Sequence, residues 1–177
     1  YGGEAGGSTT YDMVKQKMTE KNYGEASDLL DQMLAKDPGQ PNAWLTLARA
    51  RDANGQKPAS IAAYQKYLEI KPKEAGATGA MLQVMVEAGQ CSQANTVAQA
   101  AASRLVSQGA NALAPINFSW GMALECLGEY EAAGLKFSQV LSSGNARYTE
   151  PARTNVQRMK DLQDLEEYKK KKARQGG

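Results

Sequence analysis

The sequence predicts an all-α fold of antiparallel helix hairpins stacked in tandem, and three observations predict it. The first is punctuation at a fixed interval. Pro38 and Pro72, each closing a Lys-rich helix end, stand 34 residues apart, as do the turn glycines Gly55 and Gly89. Gly128 follows 39 residues after Gly89, which leaves about one helical turn of insertion, placed near Ser107 to Ala112. The second is a helical period: in the segment from Tyr23 to Leu34, apolar residues fall at i, i+3, i+6, i+7, i+10 and i+11, where a strand would alternate by two. The third is a pairing of sizes. Small residues at Ala26, Ser60, Ala94 and Ala133 let paired helices approach closely, and Leu30, Tyr64 and Phe137 fill the space beside them.

These signals place helices over residues 9–20, 23–36, 41–53, 57–70, 75–88, 91–107, 112–127, 129–143 and 149–172. The first helix carries Met13 and Val14. Each first helix of a hairpin then ends at Gly or Asn, residues that tolerate the left-handed backbone of a helix stop. Second helices end before Pro, which cannot continue them. The third hairpin lacks both the aromatics and the closing Pro and rests on Met81, Leu82, Met85, Ala94, Ala98 and Ala101. The last helix opens at Thr149-Glu150-Pro151, a hydroxyl cap with Pro in the first turn. Its expected buried stripe is Val156, Met159, Leu162, Leu165 and Tyr168, a polar-backed cover of the kind an array end needs.

The pattern resembles the tetratricopeptide repeat family. Residues 41–74 carry the resemblance best, with Trp44, Leu47, Ala48, Gly55, Tyr64, Tyr67, Leu68 and Pro72, and Ser60 where Ala is usual. The first repeat supplies Tyr23, Ala26, Leu30 and Pro38. The fourth supplies Trp120, Gly121, Leu124, Gly128, Tyr130, Ala133 and Phe137. The resemblance implies a right-handed α-solenoid, a tetratricopeptide-like superhelix, with this division: a flexible Gly-rich segment at 1–8, four repeats over 9–147, and a capping helix with a basic tail over 148–177.

Composition narrows the function. Apolar residues make up 42% and charged residues 23% of 177 positions, a balance that folds as one domain or a short array. No apolar run approaches the roughly 20 residues of a transmembrane helix. Histidine is absent, which removes the commonest general base and the commonest metal ligand. Two cysteines are too few for a zinc site. With no Gly-rich phosphate loop and no Ser-centred elbow, the reading is a binding protein and not an enzyme, needing no cofactor, metal or catalytic residue. The Gly-rich start at Tyr1 leaves open whether an export signal preceded it, and lipid anchoring upstream stays open too.

The family's inner-wall positions transfer onto Tyr11, Lys15 and Met18, then Asn42, Leu45, Arg49 and Asp52, then Gln83 and Val86 with Glu87, then Phe118, Met122 and Glu125. Such a wall offers apolar anchors, while Lys15 and Arg49 are suited to hold a carboxylate; the expected partner is a protein or peptide segment, extended or helical. Some of these side chains are expected to pack structurally instead. The family's carboxylate-gripping groove is not reproduced, because the matching positions read Tyr11, Lys15, Thr46, Gly76 and Ala80. Lys169 to Lys172 with Arg174 form a basic run that complements the negative end of the last helix, so no nucleic-acid partner is assigned. Asn117-Phe118-Ser119 fits a glycosylation sequon but falls inside a predicted helix.

Cys91 opens the second helix of the third repeat and Cys126 ends the first helix of the fourth. Those helices are expected side by side and antiparallel, so a disulfide is geometrically open to them, as is a pair of buried free thiols. A bond points to the periplasm or exterior, free thiols to the cytoplasm. The function expected is a bacterial interaction scaffold that binds a partner segment in its groove, the alternative being a self-associating structural or coat subunit.

Overall fold

A computed structural model describes residues 5–175, with side chains described from Thr10. Nine α-helices follow in order among the described residues: α1 (Ala5–Thr19), α2 (Tyr23–Lys36), α3 (Pro41–Ala53), α4 (Lys57–Ile70), α5 (Ala75–Glu87), α6 (Cys91–Arg104), α7 (Ala110–Cys126), α8 (Tyr130–Ser142) and α9 (Ala146–Gln175), with a short 3-10 turn at Val106–Gln108. Tyr1 to Glu4, half of the expected lead-in segment, lie outside the described residues. α1 begins at Ala5 rather than 9. Gly6 and Gly7 each weaken a helix by about 1 kcal/mol relative to Ala, which is why the residues alone start it later.

The chain divides into two compact units, one running to Ala77 and one from Thr78. In the first, α1 packs on α2, α2 on α3 and α3 on α4. The expected small-against-large pairing is present: Ala26, Leu30, Ser60 and Tyr64 are all buried. Serine substitutes for alanine at 60 without leaving a polar atom unpaired, because its Oγ donates to the Ala48 carbonyl at 2.7 Å. Trp44 donates its indole N–H to the Pro38 carbonyl at 2.8 Å, which ties the turn between α2 and α3 to the helix that follows.

The stop after each first helix is one device used four times. Lys21, Gly55, Gly89 and Gly128 have φ of 58, 76, 78 and 78°. The next residue then returns its N–H to a carbonyl five positions back: Asn22 to Lys17, Gln56 to Arg51, Gln90 to Met85 and Glu129 to Leu124, at 2.8 to 2.9 Å. This bond satisfies a carbonyl that the helix end leaves open. In the first repeat the left-handed residue is therefore Lys21 and not Asn22, whose φ is −87°.

In the second unit α6 packs on α7, α7 on α8, and α9 on both α7 and α8. The insertion falls where the spacing predicts: α6 stops at Arg104, the 3-10 turn follows, and Gly109 at φ 86° starts α7. α9 departs from expectation at both ends. Its cap is Asn145 and not Thr149: Asn145 Oδ1 accepts from the Arg147 N–H at 3.2 Å, and the Thr149 hydroxyl turns back to donate to the Asn145 carbonyl at 3.1 Å. Pro151 sits in the second turn, where its missing N–H removes one helical bond. At the other end the buried stripe runs through Ala152, Asn155 and Met159, while Leu165 and Tyr168 are exposed. The reason is length. α9 has 30 residues and α8 has 13, roughly 45 Å against 20 Å at 1.5 Å per residue, so α9 outruns its support.

Candidate functional site

Each unit presents a cleft bordered by first helices of its hairpins. In the first unit a cleft of 870 Å3 is lined by Tyr11 of α1, Met33 and Lys36 of α2, and Pro41 and Asn42 of α3. Of the predicted inner-wall residues in this unit, Tyr11 and Asn42 meet there. Lys15 lies outside it, exposed, 3.9 Å from the Asp12 carboxylate and with its Nζ 5.0 Å from the Tyr11 ring centroid. Met18, Leu45 and Arg49 are not part of the cleft lining either. Asp52 is already engaged, its carboxylate 2.7 Å from the Lys57 ammonium. Arg49 is exposed; its charge opposes the burial that pushes the neighbouring Tyr64 phenol above its ordinary pKa, while the Asp52 charge adds to that rise.

The second unit brings its predicted residues together more fully. A cleft of 560 Å3 takes Gln83 and Val86 from α5 and Phe118, Met122 and Glu125 from α7, every foreseen position of this unit but Glu87. Phe118 is partly structural, with its ring 5.5 Å from Phe137 in an edge arrangement and 5.3 Å from Tyr148. Gln83 donates to Glu87 at 3.0 Å. The opposite wall is α9, which contributes Asn155, Arg158 and Leu162. Arg158 Nη2 donates to Glu125 Oε2 at 2.6 Å, linking the two walls and neutralising both charges; at partly exposed sites such a pair positions more than it stabilises.

Treating the last helix only as a cover misses the α9 residues. Their signal is spacing: Asn155, Arg158 and Leu162 stand at i, i+3 and i+7, one face of a helix. The periodicity that marks the inner wall in α7 therefore continues in α9.

Cys91 and Cys126 are joined by a disulfide whose Cα atoms lie 6.1 Å apart. Cys126 also lines the second cleft, so the bridge ties the start of α6 to the rim of the site. Trp120 does not repeat the role of Trp44. Its indole N–H donates to Asn95 Oδ1 at 2.7 Å, and the Lys136 ammonium lies 3.6 Å from its ring centroid, where burial lowers the lysine's pKa. No group of three or more Cys, Asp or Glu side chains spaced for a metal ion occurs among the described residues, and no helix among them is long and apolar enough to cross a membrane.

Helical hairpins that repeat along the chain, with a cleft in each unit, define the class of fold as a helical repeat array. A tetratricopeptide repeat family model matches residues 17–81. Solved structures with the same fold include MamA (TM-score 0.71, 16% identity, covering 91% of this chain and 84% of that one). PilW, a widely conserved type IV pilus biogenesis factor, is similar as well (TM-score 0.61, 13% identity, 90% and 80% covered). A third is a thermophilic tetratricopeptide repeat protein of Thermus thermophilus (TM-score 0.62, 20% identity, 86% and 80% covered). Residues 17–81 are thus similar in sequence to tetratricopeptide repeats, and the described residues share the fold of these solved structures. No curated protein matches the chain in sequence.

Proposed function

We propose that the chain is a scaffold that binds segments of partner proteins in the clefts between its first helices, as part of a bacterial multiprotein assembly. The observation that carries this reading is the second cleft: α5, α7 and α9 converge on an apolar surface rimmed by hydrogen-bonding side chains, the composition of a recognition groove and not of a reacting centre. The Cys91–Cys126 bond supports a periplasmic or extracellular setting, since structural disulfides persist in oxidising compartments. The likeness to a pilus biogenesis factor supports an envelope assembly.

Affinity capture from the native source tests the binding. One variant in each cleft, Tyr11→Ala and Met122→Ala, is expected to reduce capture while leaving the melting temperature within a few degrees of the parent. If both variants capture the same partners as the parent, the clefts are not the binding faces. Alkylation of intact cells before reduction tests the compartment, an oxidising one leaving both cysteines unlabelled.

A second reading, self-association, is favoured by the far end of α9. Leu165 and Tyr168 are exposed there. Asp161, Asp164, Glu166 and Glu167 precede Lys169 to Lys172 and Arg174, so two antiparallel copies of this helix would set acidic against basic halves. Sedimentation across a range of concentrations separates the readings, and a monomer throughout counts against this one.

A further inference from the structure

Asn155 stands apart from the other buried polar side chains of the second unit, Thr78 and Ser119. It is 8% exposed, and its amide makes no hydrogen bond among the described residues. Buried amides ordinarily find partners, and one that does not calls for an explanation. The explanation lies in where it opens. No side-chain nitrogen or oxygen among the described residues is both sealed from solvent and unpartnered, so the small exposed part of Asn155 includes both polar atoms of its amide. Asn155 lines the 560 Å3 cleft. An acceptor and two donors are thus held, unspent, inside a cleft with apolar walls.

We infer that Asn155 is the main-chain hook of this cleft, and that its ligand is an extended, uncharged peptide segment carrying an apolar side chain; this rests on the scaffold reading above. The chemistry is selective. A side-chain amide offers N–H and C=O in one plane, the complement of the N–H and C=O that a residue in an extended chain presents on one edge. A helical ligand hides those groups in its own bonds and cannot use Asn155. Along an extended chain side chains alternate in direction, so a residue gripped at Asn155 sends a neighbouring side chain toward Val86, Phe118, Met122 and Leu162. The Glu125–Arg158 pair is closed on itself at 2.6 Å, which leaves no spare charge to hold a charged side chain. Because α9 supplies the hook and α7 the apolar floor, the capping helix is a binding element as well as a cover.

The probe is a phage-displayed library of random peptides about ten residues long, enough to cross the cleft at roughly 3.4 Å per residue, selected against the oxidised full chain. Expected binders converge on an apolar residue with uncharged neighbours. N-methylation of one main-chain position weakens the best binder on the order of tenfold, the size of one or two hydrogen bonds left unmade. Asn155→Ala weakens the unmodified peptide by a similar factor, and in that variant the N-methyl group has no further effect. The melting temperature of Asn155→Ala is expected to equal or exceed the parent's, because no protein bond is lost; a fall marks Asn155 as a structural amide and overturns the assignment. Equal affinity of parent and variant for the peptide also overturns it, as do binders that depend on Tyr11 and Asn42 but not on Met122, and in each case the scaffold reading stands. A library that yields no binder to the chain removes both.

Discussion

Helices α4 and α6 occupy the same place in successive hairpins and are both 14 residues long, yet they are held by different means. α4 buries Ile61, Tyr64 and Tyr67 with Ser60 and Ala63, while α6 buries only Cys91 and three alanines, Ala94, Ala98 and Ala101. A buried Ile or an aromatic of comparable size contributes about 1.5 to 3 kcal/mol, against roughly 0.8 for a methyl-sized group, so α6 adheres far less through apolar contact. The disulfide acts at this weak place. Its sequence separation of 35 residues corresponds to about 3 to 4 kcal/mol of chain entropy removed from the unfolded state, comparable to the missing large side chains. A repeat architecture thus fixes where helices go without fixing what holds them.

Removing the bridge is the largest test of that comparison. Cys91→Ala combined with Cys126→Ala is expected to lower the protection of α6 amides in hydrogen exchange by about 3 to 4 kcal/mol, with α3 and α4 unchanged. Uniform loss across both units would show that α6 is not the locally weak element. Next in size is the close approach of α5 and α7. A Cβ added at Gly79 would lie 2.6 Å from the backbone carbon and oxygen of Pro115, and Ser119 donates to the Gly79 carbonyl at 2.8 Å, so neither helix can retreat without losing a buried bond. Gly79→Ala is expected to destabilise by about 2 to 3 kcal/mol. Gly134→Ala, whose Cβ would meet only the Met159 Cβ at an ordinary 3.6 Å, is expected to stabilise by up to about 1 kcal/mol through helix propensity. Paired urea titrations read both, and equal signs would refute the packing argument.

The fold was legible because its signals are periodic: Pro38 and Pro72, Gly55 and Gly89, and the small residues at 26, 60, 94 and 133 all report one spacing, and helix ends fell within a few residues of their expected places. What the residues hid was non-periodic. Asn145 caps α9 through its side chain, a role that Thr149 with Pro151 imitates closely enough to displace in a reading by type. Leu165 and Tyr168 keep the helical period of a buried stripe, and nothing local reveals that α8 ends too soon to cover them. At the site, the inner-wall positions of α5 and α7 do meet in one cleft, since they follow the repeat. Asp52 could not be foreseen as engaged, because its partner Lys57 lies across a turn. Asn155 escaped because burial, and not residue type, makes its amide unusual.

Lys21 sharpens the comparison among turns. It holds φ 58° at the position where the later repeats place glycine, and a side chain in the left-handed region costs about 1 kcal/mol or more relative to glycine. Lys21→Gly is therefore expected to raise the stability of the first unit by about 1 kcal/mol, and Gly55→Ala to lower it by a similar amount. If Lys21→Gly proves neutral in thermal melts, the strain is released elsewhere and the four turns are not equivalent.

The smallest effect tests the electrostatics that join α1 to α2 beside that turn. Lys17 Nζ lies 2.6 Å from the Glu25 carboxylate. Its hydrogen bond to Glu25 raises the Lys17 pKa above 10.5, and the same bond, helped by Asn22, lowers Glu25 below 4.5. A carboxylate with a depressed folded pKa contributes stability that is present above its unfolded value and fades as pH falls through the folded one. A lysine with a raised folded pKa contributes below its unfolded value and loses that as pH rises through the folded one. The pair's contribution therefore spans the range between these limits and disappears outside it. Glu25 is exposed and Lys17 partly so, so salt screens the pair. Lys17→Met is expected to lower the melting temperature slightly at neutral pH and low salt, with the difference gone in strong salt and in acid below the Glu25 transition. A difference that survives both would assign the effect to the packing of the Lys17 stem, and the charge pair would then contribute nothing to holding α1 on α2.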